Sequence, residues 1–234
     1  MVKYIRKKSA EPTHASDGIS LPLQAEERSR KEVLQMTTEE LLKENRVVPV
    51  VVIREIGDTL PTLGALMDGG IPVAEITFRT ACAAEAIRLG CEKYPDMMIG
   101  AGTVINAEQA EAAIAAGAKF IVSPGLSRAV FEVTKKYGVP YLPGCVTPTE
   151  IMAALDLGLT TLKFFPAGIY GGLKALKALS APFPQVKFLP TGGVDLTNIK
   201  EFLAFDKVAA VGGSFMMKGD IRANCAALWE VLYA

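Results

Sequence analysis

The sequence predicts an α/β fold built as a single (β/α)8 (TIM) barrel, and three observations predict it. From residue 47 onward one unit recurs: an apolar run rich in β-branched residues, a turn containing Gly or Pro, then an Ala/Leu/Glu/Lys segment with helical spacing that a glycine usually closes. Eight such units fit into about 190 residues with short connections, the density of a barrel of this kind. The apolar runs are nearly continuous rather than alternating, as in parallel strands covered by helices. A doubly wound open sheet is the rival arrangement, and its nucleotide signatures are missing. "GAGTVI" at 100–105 carries Ile105 where G-x-G-x-x-G needs its third glycine, and no G-x-x-x-x-G-K-[ST] occurs.

Taken in order, residues 1–35 stand outside the repeat. They are polar, mixed in charge and broken by Pro12, Gly18 and Pro22, the composition of a flexible or loosely docked arm. Met36 is a candidate alternative start, and the barrel domain is assigned to 36–234. "TTEELLKEN" (37–45) opens with Thr37-x-x-Glu40, a capping-box pattern that predicts a short helix before the first strand. Strands are predicted at 47–53, 73–78, 98–104, 120–124, 141–146, 161–166, 187–193 and 209–214. Between them, Asn106-x-x-Gln109 opens a helix that Gly117 stops, and Thr147-Pro148-Thr149-Glu150 combines an N-cap threonine, a proline at the first helical position and a glutamate at the third. Trp229 and Tyr233, four apart in the last helix, are expected to pack it against the barrel.

Composition excludes several classes. Lysine plus arginine balance aspartate plus glutamate at 25 each, so no basic footprint for nucleic acid or an anionic membrane exists. No apolar stretch approaches the ~20 residues of a membrane span, and the N-terminus has no apolar core of a secretory signal. Cys82, Cys91, Cys145 and Cys225 show no C-x-x-C spacing, and the one histidine, His14, lies in the polar arm. A disulfide framework or a metal site is therefore unsupported, and reduced thiols in a cytoplasmic protein are expected. Neither a metal nor a cofactor is predicted.

Strand alternation assembles a candidate site at the C-terminal ends of the strands, where such barrels carry their chemistry. In "TTLKFFPAG" (161–169) the bulky Leu162 and Phe164 suit the helix-facing side, which turns Thr161, Lys163 and Phe165 inward. In the second strand Glu75, Thr77 and Arg79 share a face, and Thr103 ends "GAGT", whose small residues leave room for a ligand. An inward Lys–Glu pair is also what a structural ion pair would produce. Three charged residues converging at strand ends favour a functional site. "PTGG" (190–193) and "VGGS" (211–214) close strands seven and eight, where bare backbone N–H groups commonly bind phosphate. Gly192, Gly193, Gly212, Gly213 and the hydroxyl of Ser214 are the phosphate candidates. Cys82, Cys91 and Cys225 read as packing residues, and Cys145, near a strand end, could line the site.

This set has a chemical use. A desolvated lysine offers a neutral amine that attacks a ketone, and the resulting iminium is an electron sink that lets an adjacent C–C bond break. Glu75 is placed to move protons, and the planar fork of Arg79 suits a carboxylate. The residues therefore describe a metal-free Schiff-base lyase for a substrate with a keto-acid end and a phosphate end.

"EITFRT" (75–80), "GAGTV" (100–104), "SPGL" (123–126), "KFFPA" (163–167), "PTGGV" (190–194) and "GGS" (212–214) follow one another in the order and spacing of a known family. Over roughly 36–225 the chain resembles the 2-keto-3-deoxy-6-phosphogluconate (KDPG) aldolases, which include bifunctional 4-hydroxy-2-oxoglutarate (KHG) aldolases. The resemblance implies a (β/α)8 barrel, usually a homotrimer, that cleaves the sugar acid to pyruvate and glyceraldehyde 3-phosphate, in Entner–Doudoroff or uronate catabolism. It implies Lys163 as the Schiff-base lysine and Glu75 as the acid/base. Arg79 and Thr103 would hold the pyruvyl carboxylate, and Gly192, Gly193, Gly212, Gly213 and Ser214 the phosphate, with Thr191 beside it. The arm before Thr37 is a departure from the family. The rivals are an aldolase for the 6-phosphogalactonate epimer, a phosphosugar isomerase or epimerase, and a non-catalytic phosphate-ligand binder on the same barrel.

Overall fold

Thr37 caps the first helix, α1 (Thr38–Glu44), as the sequence pattern requires. Its hydroxyl accepts from Glu40 N–H while the Glu40 carboxylate accepts from Thr37 N–H at 2.7 Å. The computed structural model describes residues 37–233, so the arm assigned to 1–35 and the candidate start Met36 lie outside the described residues.

Strands and helices then alternate without exception among the described residues. β1 (Val47–Val51), α2 (Thr59–Asp68), β2 (Val73–Thr77), α3 (Ala83–Lys93), β3 (Met98–Gly102) and α4 (Ala107–Ala115) come first. β4 (Ile121–Val122), α5 (Arg128–Tyr137), β5 (Tyr141–Leu142), α6 (Pro148–Asp156), β6 (Thr161–Phe164) and α7 (Gly172–Ser180) follow. β7 (Lys187–Pro190), α8 (Ile199–Ala204), β8 (Val211–Gly213) and α9 (Ile221–Tyr233) complete the series, with 3₁₀ turns at Ile56–Asp58 and Phe215–Met217.

Every strand pair is parallel. Six strands form a curled sheet in the order β5-β4-β3-β2-β1-β8, and β6 pairs with β7. Isolated parallel bridges at Gly144↔Lys163, Phe188↔Val208 and Thr191↔Gly212 join these two sets on both sides. All eight predicted strands are present, each shorter than its apolar run. Prolines account for the shortest, because proline has no N–H to give a ladder. Pro124 follows β4, and Pro140 and Pro143 flank β5.

The interior of the sheet is filled by neighbours rather than by local side chains where glycine stands. A Cβ on Gly100 would lie 2.5 Å from the ring of Phe120, itself fully buried. Outside, the helix-facing Phe164 and Phe188 pack edge to face with centroids 6.3 Å apart. α9 is seated by Trp229, whose indole N–H donates to Gly69 C=O at 2.7 Å. Tyr233 stacks on Trp229 at 5.7 Å but is 82% exposed, so only the tryptophan of the expected pair packs against the strands and helices beneath.

The cap of α6 matters for the site because it follows β5. Thr147 Oγ1 accepts from Glu150 N–H, and Glu150 Oε2 accepts from Val146 N–H at 2.8 Å and Thr147 N–H at 2.9 Å. Burial acts to raise the Glu150 carboxyl, but these donors outweigh it and hold the group below its ordinary range. Its contribution is therefore complete at neutral pH and fades as pH falls through the folded-state value. Thr147→Ala should cost about 1 kcal/mol in urea unfolding at pH 7. The stability gap between wild type and Glu150→Gln should narrow on acidification, and a gap that widens in acid would contradict the assignment. At α4 the cap differs slightly from expectation. Asn106 Oδ1 accepts from Gln109 N–H at 2.8 Å, but Gln109 reaches back to Ile105 N–H instead of to Asn106.

Candidate active site

Lys163 is held within β6 by backbone bonds from both its N–H and its C=O to the segment that follows β5. Its N–H donates to Pro143 C=O, its C=O accepts from Cys145 N–H at 2.9 Å, and it is in register with Leu189 on β7. Backbone pairing at that point leaves alternation to aim the side chain inward. There Nζ donates to Oε1 of Glu75 at 3.2 Å, with the lysine side chain 5% and the glutamate 1% exposed. The partners lie 88 residues apart in sequence. Two charges this deep gain stability only against a large desolvation cost, so the pair is weak evidence for a structural role. The Phe165 ring centroid also lies 5.4 Å from Nζ.

Gly102 makes the pair possible. It is in register with Thr77 on β2, and a Cβ there would strike Oε1 of Glu75. The small residues of "GAGT" thus leave room for Glu75 and Phe120, two of the chain's own side chains, where sequence reading assigned the space to a ligand. Spacing along one strand says nothing about a side chain that arrives from the next.

A second pair stands just beyond the ends of β2 and β3, where Arg79 Nε donates to Thr103 Oγ1 at 3.1 Å. Thr103 has φ +56°, in the left-handed region that β-branched residues rarely enter. Such a conformation costs about 1–3 kcal/mol and persists only where its surroundings enforce it.

The glycine loops form a third cluster. Gly192 and Gly193 have φ of +83° and +85°, and a Cβ on Gly193 would come within 2.9 Å of Gly168 Cα. Gly168 N–H donates to Gly192 C=O at 2.8 Å and Ala167 N–H to Thr191 C=O at 2.9 Å, so the loop after β6 is fastened to the loop after β7. Thr191 in turn pairs with Gly212, where a Cβ would collide with the threonine hydroxyl. Gly213 ends β8, and exposed Ser214 stands at the N-cap position of the following 3₁₀ turn with no side-chain capping bond. Phe165 bridges two clusters, since its ring faces the Lys163 amine on one side and lies 3.2 Å from where a Gly192 Cβ would be on the other.

Lys163 and Glu75 are thus in direct contact within β6 and β2, whereas Arg79 and Thr103 meet just beyond the C-terminal ends of β2 and β3, and Thr191, just past β7, lies against Gly212 of β8. Sequence reading missed the supporting Gly168 and the bridging place of Phe165. The inward parity of Phe165 was visible, but the loop contact that gives it a second neighbour was not. Cys145 does not line the site. It is 1% exposed, its Sγ donates to Glu150 C=O at 3.6 Å, and burial with the added charge of Glu150 pushes the thiol up to about 12. Among the described residues no cluster of three or more His, Cys, Asp or Glu could hold a metal ion, and no helix is long and apolar enough to cross a membrane. A groove of about 630 Å³ lies at the opposite ends of the strands, lined by Arg46, Lys200 and Trp229 among others, away from all three clusters.

A family model described as KDPG and KHG aldolase matches residues 38–229. The 2-dehydro-3-deoxy-phosphogluconate aldolase of Dickeya dadantii is 44% identical over 184 residues, covering 79% of this chain and 86% of that one. The KHG/KDPG aldolase of Escherichia coli K12 is 41% identical over 184 residues, with the same coverage of 79% and 86%. Among solved structures, the KDPG aldolase of Legionella pneumophila, captured with pyruvate as a covalent carbinolamine intermediate, superposes with a TM-score of 0.76 at 42% identity. That match covers 82% of this chain and 95% of the other. With a family model matched over 38–229 and relatives above 40% identity along most of their length, the chain belongs to the KDPG and KHG aldolase family.

Proposed function

We propose that this protein is a class I, Schiff-base aldolase, a carbon–carbon lyase that cleaves 2-keto-3-deoxy-6-phosphogluconate to pyruvate and glyceraldehyde 3-phosphate. It would also cleave 4-hydroxy-2-oxoglutarate to pyruvate and glyoxylate. The observation that carries the reading is the contact between Lys163 Nζ and Glu75 Oε1 at 3.2 Å, with both side chains buried. Across that contact Glu75 takes a proton from the ammonium and frees the amine for attack on the C-2 carbonyl. Once the iminium has formed, Glu75 serves in this reading as the base that removes the C-4 hydroxyl proton, and the C-3–C-4 bond breaks. The bonding pair flows into the iminium as an enamine.

Arg79 and Thr103 hold the C-1 carboxylate in this reading, and the strain at Thr103 supports it, because the left-handed turn aims the hydroxyl at the guanidinium. Gly192, Gly193, Gly212, Gly213 and Ser214, with Thr191 alongside, take the phosphate through backbone N–H groups and a hydroxyl. The three isolated bridges support closure of the eight strands as a (β/α)8 barrel over 36–234, with 1–35 an appended arm. Four free cysteines accord with a cytoplasmic enzyme of Entner–Doudoroff or uronate breakdown. A homotrimer is the assembly the family resemblance suggests, and sedimentation equilibrium tests it.

Arg79→Ala should raise the KM for pyruvate in the condensation direction roughly 10- to 100-fold, as loss of a charge-assisted hydrogen bond does, and unaltered pyruvate affinity would remove Arg79 from the clamp. Thr103→Gly should weaken pyruvate binding too, while leaving stability level or about 1 kcal/mol higher as strain is relieved.

The decisive test is borohydride reduction in the presence of pyruvate, followed by intact mass and peptide mapping. A pyruvyl adduct on the peptide carrying Lys163 is expected. No adduct in a sample shown to be folded would turn the reading toward an isomerase or a non-catalytic binder.

A further inference from the structure

Between Glu75 and Arg79 stands Thr77, which the mechanism above leaves without a task. Alternation along β2 puts its side chain on the face of Glu75. It is fully buried, and its Oγ1 has no hydrogen-bond partner among the described residues. The same holds for Oε2 of Glu75, whose other oxygen meets Lys163. Two unpartnered buried polar atoms on one face of one strand are uncommon, because each loses its water on folding and recovers nothing.

Their placement is specific. Thr77 is in register with Gly102, the residue over which the Glu75 carboxylate lies, and Thr103 of the carboxylate clamp comes next in the chain. Thr77 therefore lies between the amine that attacks C-2 and the groups that hold C-1, atoms one bond apart in a 2-keto acid. The two orphan groups also differ in sense. An ionised carboxylate oxygen only accepts, whereas a threonine hydroxyl donates as well. A ligand hydroxyl between them would satisfy both. Thr161 is likewise buried without a partner, but it precedes Lys163 by two residues on β6 and so lies deeper than the amine.

We infer that Thr77 is a further catalytic residue, its hydroxyl donating a hydrogen bond to the C-2 oxygen of the bound 2-keto acid while that oxygen becomes the carbinolamine hydroxyl and then leaves. The inference rests on the Schiff-base reading. In the first step the Lys163 nitrogen forms a bond to C-2 and the carbonyl π pair moves onto oxygen. Glu75, protonated from the lysine ammonium, gives its proton to that oxygen and takes one from the nitrogen, which leaves a neutral carbinolamine. In the second step Glu75 protonates the hydroxyl, the C–O bond breaks to release water, and the nitrogen lone pair forms the C=N bond. Thr77 holds the oxygen through both steps and neither gains nor loses a proton, while the unpartnered Oε2 is the atom through which Glu75 delivers its proton to that oxygen.

The test compares wild type, Thr77→Val and Thr77→Ser by thermal unfolding, by cleavage kinetics and by the rate of borohydride trapping at saturating pyruvate. Thr77→Val keeps the shape and removes an unpartnered buried hydroxyl, so it should melt at or above the wild-type temperature. Its trapping rate and kcat should nonetheless fall about 10- to 100-fold, the effect of one lost hydrogen bond to a group developing charge. Thr77→Ser should retain most of the rate. Wild-type trapping in the valine variant would overturn the inference, as would a change confined to pyruvate KM or a serine variant as slow as the valine one. Should Thr77→Val not accumulate as folded protein, Thr77→Ala against Thr77→Ser reads the same difference. A wild type that fails to trap pyruvate would defeat the Schiff-base reading itself, an outcome distinct from a trapped wild type with unaffected variants.

Discussion

Replacing Lys163 with arginine should lower kcat on the order of 10⁴-fold or more and abolish borohydride trapping, while the protein stays folded. Arginine keeps a positive charge opposite Glu75, yet its guanidinium does not deprotonate in proteins and so cannot form the imine. This makes it a cleaner probe than alanine. Lys163→Ala should be equally inactive but should also cost roughly 3–5 kcal/mol, because it strands the Glu75 carboxylate where it is 1% exposed. Much of that loss should return in the double variant Lys163→Met, Glu75→Gln, which removes both charges and remains inactive. Chemical denaturation and trapping on the same preparations separate the two effects. Substantial turnover by Lys163→Arg would sink the covalent mechanism.

Glu75→Gln is the second large effect. The amide keeps the size and one acceptor oxygen but cannot take the ammonium proton, so kcat should fall about 10²- to 10⁴-fold. The lysine amine survives, and prolonged incubation with pyruvate and borohydride should still label it. A fall in kcat with trapping preserved at long times assigns Glu75 to proton transfer. Unchanged kinetics would leave it a counter-ion only.

Much of this was legible in the chain. The capping boxes at Thr37 and Thr147 are local, with donor and acceptor three residues apart, and both formed as the pattern demanded. Inward and outward faces of β2 and β6 follow from a period of two, so Glu75 and Lys163 could be turned to the same side before any contact was known. Strand ends were less legible. The predicted strands continue past Leu142 and Pro190, but beyond them, where Pro143 and the positive-φ Gly192 and Gly193 interrupt regular pairing, only isolated bridges at Gly144 and Thr191 remain. The exposure of Tyr233 was misjudged because spacing within a helix does not reveal where its neighbours end.

By itself, then, the sequence determined the alternation of strand and helix, the face on which each reactive side chain lies and the residue types from which a Schiff base can be made. These are set by short-range sterics and periodicity, which act within a few residues. Only the tertiary structure decided that Lys163 meets Glu75 across 88 residues, that Gly102 clears the space for that carboxylate, and that Thr103 is held in a left-handed turn beside Arg79. Each of these depends on the register between different strands. Register is fixed by the packing of the whole sheet, and no single stretch of the chain contains it.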